Sequence, residues 1–263
     1  MATEAEPRRI QSVDRAFEIL RRIGENGSST VSELAAEVGL SPGAVHTHLS
    51  TLKSNGFVAQ EDGKYKLGME FIPFSERVRN QTNLYRAGKA EVDKLAHEHD
   101  AVAHLVTEYE GQVLILYEMS GENAVGKEIH TAKREQPQEH IHCTAAGKAI
   151  LAYLPDSRVE EIVEEYGLPP YTTHTITDEE TLYEELAEIR EQQYAINNEE
   201  VLHGNRGIGA PVIDDEEELL GAISISGPAN NWRTEQSEDE LVESVIRSAN
   251  NVEINVHTET RLL

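Results

Sequence analysis

A chain of 263 residues suits two domains at roughly 100–200 residues each, and no apolar run in it approaches the ~18 residues a membrane span requires. Its one cysteine, Cys143, excludes an internal disulfide framework and agrees with a reducing compartment; with no signal-peptide core near Met1, the chain is expected to be cytoplasmic. The net charge of -25 is uneven: residues 1–68 carry 8 Lys+Arg against 9 Asp+Glu, and residues 69–263 carry 15 against 39, an acid surplus that fits a halophilic, salt-screened cytoplasm.

Residues 1–9 read as a polar arm ending in Arg8-Arg9. Ser12 is placed to cap a first helix whose apolar positions Val13, Ala16, Phe17, Leu20 and Ile23 follow a 3.6-residue period. Asn26 to Ser29 form a loop to Thr30, and Thr30 with Glu33 three residues on is a capping box. The helix it opens buries Leu34, Ala35 and Val38, and Gly39 supplies the positive φ that ends it. Ser41 caps the next helix, with Pro42 at its first position, where a missing N–H costs nothing.

Val45, Leu49 and Leu52 then share one face, while Gly43, His46, Thr47, Ser50 and Lys53 point the other way. Two short helices about a tight glycine turn form a helix-turn-helix pattern suited to duplex DNA. Past Phe57 the period becomes alternating, and Asp62-Gly63 between two short runs predicts a hairpin. A hairpin there is a wing, and Lys64 and Lys66 on it would reach phosphates. The expected DNA contacts are Ser41, Gly43, His46, Thr47, Ser50, Lys53, Lys64 and Lys66, within a winged helix-turn-helix domain over residues 1–68.

Residues 69–83 read as a linker helix interrupted near Pro73, with Phe71, Ile72, Phe74 and Val78 apolar. A helix from Leu84 to about His97 opens a second domain, residues 84–263. Strands are predicted over Val102–Glu108 and Val113–Met119 across a Tyr109–Gln112 turn, with a third strand including Ile129 and Thr131. Thr144 caps a helix that Pro155 stops; Asp156–Tyr166 and Asp178–Gln193 are two more, the latter with Leu182, Leu186 and Ile189 as its stripe. Strands follow over Tyr194–Asn198, Ile208–Ile213 and Leu219–Ser226, and a helix from Glu235 to His257 closes the chain. The pattern is an α+β fold whose second domain is one antiparallel or mixed sheet flanked by helices, the build of a small-molecule sensor.

The amides that open the Thr144-capped helix are donors at the positive end of a dipole, suited to a carboxylate or phosphate. Ser224 and Ser226 alternate along one strand and so share a face, which either completes such a site or merely lines a solvated sheet. His130, His140, His142 and Cys143 are dense enough to hold zinc, or equally to line a pocket. A Cys143 nucleophile with His142 or His130 as base has neighbours but no orienting third group, so no enzyme and no cofactor are expected. A metal-responsive regulator and a non-DNA-binding interaction adaptor are the alternatives.

SVDRAFEIL at 12–20, VSELAAEVGLSPGAVHTHLSTLKSNGFV at 31–58, HCTAAGKAILAYLP at 142–155, RGIGAPV at 206–212 and AISISGP at 222–228 carry a resemblance over nearly the whole chain. The sequence resembles the isocitrate lyase regulator (IclR) family of transcription factors, in a haloarchaeal version. The resemblance implies an N-terminal winged helix-turn-helix, a linker helix and a C-terminal GAF-like α/β effector domain, assembled as dimers or tetramers on palindromic double-stranded DNA. Half-sites would lie about one helical turn apart.

Carried over by position, the effector pocket falls on Ile129, Thr131, Ala145, Ala146, Asn197, Gly207, Ser224 and Ser226, and its ligand would be a small organic or sugar acid controlling catabolic genes. Two departures matter. Thr47 stands where family members often carry a basic residue, which removes a bidentate guanine reader, so specificity would rest on His46, Ser50 and DNA shape. Asn197 stands where Asp is usual, which removes a negative charge from the pocket and favours an anionic ligand.

Overall fold

A computed structural model of the chain describes residues 9–125, 141–232 and 235–262. Arg8, Ile129, His130, Thr131 and His140, and with them the expected third strand, lie outside the described residues. The chain divides into two compact units, Met1–Val78 and Arg79–Leu263.

In the first unit, helices α1 (Gln11–Asn26), α2 (Val31–Glu37) and α3 (Pro42–Ser54) precede strands β1 (Val58–Glu61) and β2 (Lys64–Leu67). Thr30 Oγ1 accepts from Glu33 N and the Glu33 carboxylate accepts from Thr30 N, completing the predicted capping box. Gly39 ends the turn with φ 65°, and Ser41 Oγ accepts from Ala44 N above Pro42. Asp62 and Gly63 both take positive φ, 49° and 78°, the two-residue turn whose twist suits a hairpin. Ser29 and Tyr65 exchange backbone hydrogen bonds at 2.9 and 2.7 Å, which ties the wing to the α1–α2 loop.

Three local expectations are corrected. Helix α1 starts at Gln11 with Ile10 at its cap, so Ser12 is already inside the helix and caps nothing. The face that α1 buries runs through the expected Ile23, with the expected Leu20 packed beside it, and through Ile19, whereas the expected Val13 and Phe17 stay 47% and 55% exposed. Both sets fit a helical period, and only packing against Leu34, Val45 and Leu49 decides between them. Helix α4 (Phe71–Gln81) runs unbroken through Pro73. The proline sits in the first turn, where no N–H has a helical partner to lose. Phe57 packs edge-on against Phe71 at 5.1 Å.

The second unit starts with α5 (Asn83–His99) and strands β3 (Val102–Tyr109) and β4 (Gln112–Ser120), joined at Glu110-Gly111. Helices α6 (Ala145–Tyr153), α7 (Asp156–Tyr166) and α8 (Glu179–Gln192) follow, then β5 (Ala195–Asn198), β6 (Asn205–Ile213), β7 (Leu219–Pro228), a 3-10 turn (Ala229–Trp232) and α9 (Glu235–Leu262). Strand β6 begins three residues before the predicted Ile208, because Asn205 to Gly207 still pair with Ser226 to Pro228. Helix α9 likewise runs on past the predicted His257 to Leu262.

The described strands of this unit form one sheet in the order β4-β3-β7-β6-β5, every pair antiparallel. Side chains alternate across a pleated strand, so each face has its own set. One face, with Leu105, Ile208, Ala210, Val212, Ile223 and Ile225, packs on α5 and α9. The other, with Val106, Val113, Ala195 and Ala222, packs on α6, α7 and α8, where Leu182, Leu186 and Ile189 form the expected stripe and are fully buried. The second face carries the polar exceptions, and the site lies there.

Candidate functional site

Helix α3 has its apolar side in the small core, with Val45 and Leu49 buried. The eight predicted DNA-contact residues, Ser41, Gly43, His46, Thr47, Ser50, Lys53, Lys64 and Lys66, are all exposed. The lysines are less available than their exposure suggests. Lys53 Nζ donates to Gln60 Oε1 at 2.9 Å, and Lys66 is ion-paired with Glu61 across the hairpin. That pair draws the Glu61 carboxyl below its ordinary pKa, chiefly through the hydrogen bond from Lys66.

In the second unit the register sets out two polar rows on one sheet face. Glu118, His104, Ser224 and Gly209 are successive partners across β4, β3, β7 and β6. Ser226, Gly207 and Asn197 are the next row across β7, β6 and β5. Helix α6 stands over these rows with its N-terminus down. Thr144 Oγ1 caps it by accepting from Gly147 N at 2.9 Å, which leaves the Ala145 and Ala146 amides at the positive end of the dipole.

Close approach is possible because β6 carries glycine where the helix rests. A Cβ on Gly209 would fall 2.8 Å from Ala145 C and from Ala146 N, and one on Gly207 would meet the Ala145 Cβ at 3.5 Å. Between helix start and sheet is a cavity of about 70 Å³, lined on one side by Val106, Val113 and Ile115 and on the other by His104, Asn197, Asn205, Ser224 and Ser226. Ala145, Ala146, Asn197, Gly207, Ser224 and Ser226, six of the predicted effector residues, all line it; Ile129 and Thr131 lie outside the described residues.

Two buried pairings of polar side chains lie beside this pocket, and neither was anticipated. His104 Nε2 lies 3.4 Å from Glu118 Oε2, with both residues buried. Lys148, on α6 and 1% exposed, donates to Glu185 Oε1 at 2.6 Å and to Glu200 Oε1 at 2.7 Å. Burial raises the Glu200 carboxyl above the usual range, and the ammonium of Lys148 pulls it back down. Glu200 N in turn donates to Asn197 Oδ1 at 2.8 Å, which leaves the Asn197 Nδ2 donors for whatever fills the cavity. The signals were present in the sequence: a lysine inside the otherwise apolar AAGKAIL, and a histidine inside the apolar VAHLV.

Of the candidate metal cluster only His142 and Cys143 lie among the described residues, where no group of three or more His, Cys, Asp or Glu is placed to hold an ion. His142 and Cys143 are both buried, and His142 Nε2 lies 3.3 Å from the Pro169 carbonyl oxygen. No helix among the described residues is long and apolar enough to cross a membrane.

A winged recognition helix in one unit, and in the other a helix-start pocket on an antiparallel sheet, define a ligand-responsive transcriptional regulator. The family models agree, with "Bacterial transcriptional regulator IclR C-terminal" matching residues 77–254 and "IclR helix-turn-helix domain" matching residues 12–62. The chain belongs to the IclR family of transcriptional regulators, which join a helix-turn-helix domain to an effector-binding C-terminal domain.

A probable HTH-type transcriptional regulator ArcR of Halobacterium salinarum is 42% identical over 258 residues, 98% of each chain. The transcriptional repressor IclR of Escherichia coli is 30% identical, covering 96% of this chain and 92% of its own. Among solved structures, the IclR of Thermotoga maritima superposes with a TM-score of 0.75 at 26% identity, over 94% of this chain and 99% of that one. An IclR homolog of Microbacterium hydrocarbonoxydans, complexed with 4-hydroxybenzoate, shares the fold with a TM-score of 0.80 at 20% identity, over 94% and 99%.

Proposed function

We propose that the protein is a cytoplasmic homodimer or homotetramer that binds a palindromic operator in double-stranded DNA and releases or tightens its hold when a small carboxylate enters the second unit. Residues 1–68 act as the DNA-binding domain, 69–83 as the linker helix and 84–263 as the effector domain. Ser41, Gly43, His46, Thr47, Ser50, Lys53, Lys64 and Lys66 form the DNA face. Ala145, Ala146, Asn197, Gly207, Ser224 and Ser226, with Ile129 and Thr131 from the segment between, take the effector.

The observation that carries this reading is the capped start of α6 resting on Gly209, with two serine hydroxyls and the Asn197 amide around an anion-sized gap. The carboxylate sits at the helix start and the apolar wall of Val106, Val113 and Ile115 takes the carbon tail. The acid acts through its different affinity for the DNA-bound and free arrangements.

The test combines genome-wide mapping of bound sites at native salt with thermal shift across pyruvate, lactate, succinate, gluconate and 4-hydroxybenzoate. A short acid raises the melting temperature saturably in the parent, by an amount set by concentration over Kd, and the Ser224→Ala/Ser226→Ala variant loses the shift. Absence of a shift with every acid, or a shift that survives the double substitution, overturns the pocket assignment. The genes beside the mapped sites name the pathway.

A further inference from the structure

The hydroxyl protons of the recognition helix are spent inside it. Thr47 Oγ1 donates to Gly43 O at 3.0 Å, Ser50 Oγ to His46 O at 2.8 Å and Thr51 Oγ1 to Thr47 O at 3.1 Å, each the carbonyl one turn back. A hydroxyl has one proton and two lone pairs, so each of these oxygens is left to the solvent side as an acceptor. Ser50 Oγ also lies 3.5 Å from His46 Nδ1. With its proton already on a carbonyl, it meets the ring as an acceptor.

No Arg, Asn or Gln stands anywhere in Pro42–Ser54 to supply a forked donor. Lys53, in the last turn, already donates to Gln60 Oε1 at 2.9 Å, and the remaining donors are grouped at the helix start. Ser41 Oγ accepts from Ala44 N, so its own proton is still available, beside the amides that open the helix. That end suits a phosphate, which positions a protein on DNA without reading it.

In the major groove, adenine N6 and cytosine N4 are donors, while guanine shows the acceptors O6 and N7 and thymine a methyl group. We infer that α3 reads exocyclic amino groups through Thr47 and Ser50, with the Thr47 methyl against thymine, and so selects A·T pairs at the contacted steps and ignores guanine. This rests on the proposed DNA-binding role and deepens it by naming the base edges recognised.

The experiment selects sites from a randomised duplex pool with the full-length protein at native salt, then modifies single atoms of the selected site. Replacing a contacted adenine by purine, which lacks the N6 amino group, lowers affinity by about tenfold per half-site, the lower range for a base contact. Replacing guanine by 7-deazaguanine leaves affinity unchanged. Thr47→Val keeps the shape and methyl but removes the acceptor, so it binds purine- and adenine-containing sites equally. Thr47→Ser restores the difference, which a merely structural role for the residue would not do. Indifference to purine together with sensitivity to 7-deazaguanine overturns the inference and leaves DNA binding intact. Failure to bind any duplex overturns the DNA-binding role and the inference with it.

Discussion

Lys148 Nζ and Glu200 Oε1 lie 2.7 Å apart inside the second unit, the lysine fully buried and the glutamate nearly so. Glu200 also holds Asn197 Oδ1 through its backbone N–H, so the ion pair fixes one wall of the pocket. Removing one partner of a buried pair strands the other charge at a cost of about 3–5 kcal/mol. Lys148→Met is expected to lose that much in denaturant unfolding at native salt. Lys148→Met with Glu185→Gln and Glu200→Gln recovers part of it, since no buried charge then lacks a partner. Equal stability of Lys148→Met and the parent would refute the pairing.

Glu253 contributes one pH dependence of stability. Burial raises its carboxyl above the ordinary value, against the hydrogen bond it accepts from Ile213 N at 2.9 Å. A raised folded-state pKa means that the native state binds the proton more tightly than the unfolded chain. Its contribution to stability is therefore full below about pH 4.3, the unfolded value for Glu, and is lost as pH rises through the folded-state value. Glu253→Gln keeps an acceptor for Ile213 and has no proton to lose. It should be more stable than the parent at neutral pH and show a flatter stability profile above that threshold, read by thermal melting across pH.

The two glycines under α6 predict different failures. Alanine at Gly209 would put a methyl group 2.8 Å from main-chain atoms that cannot step aside cheaply, and about 1–3 kcal/mol of overpacking is expected from melting curves. Alanine at Gly207 meets Ile225 O at 3.3 Å, Ala145 Cβ at 3.5 Å and Ser226 Cβ at 3.7 Å. That variant should fold at a smaller cost than the Gly209 one while its methyl occupies part of the cavity, and calorimetry with the responsive acid should show weaker binding.

Glu61 restrains the wing. Its ion pair with Lys66 is exposed on both sides and adds little stability, but it offsets a charge that would otherwise face phosphate. Glu61→Gln is expected to raise DNA affinity and to steepen the slope of log affinity against log salt by about one, the increment for one more phosphate contact. An unchanged slope in a salt titration would show that Lys66 points away from the backbone.

Much of this architecture was legible in the sequence because short-range chemistry fixes it. The Thr30–Glu33 box, the Ser41-Pro42 start, the Asp62-Gly63 turn and the Thr144 cap each need only a few neighbouring residues. The stripe expected for α1 holds at Ile23 and Leu20 but not at Val13 and Phe17, because only the partner helices decide how far along the period the buried face extends. Alternation placed Ser224 and Ser226 on one face. What it could not supply was register, and register is what brings His104 beside Ser224 and Glu118. The Lys148–Glu200 pair, 52 residues apart in the chain, is likewise a product of the tertiary fold.

The start of α6 meets the sheet where β6 has no side chains, so the groups offered to an incoming anion there are peptide N–H bonds. No substitution other than proline removes a peptide N–H, whereas the side chains of Val106, Val113, Ile115 and His104 can each be changed freely. On the proposed carboxylate reading, descendants of this chain could change which carbon skeleton they recognise while the headgroup site stays the same, and their ligands should be carboxylates with altered tails.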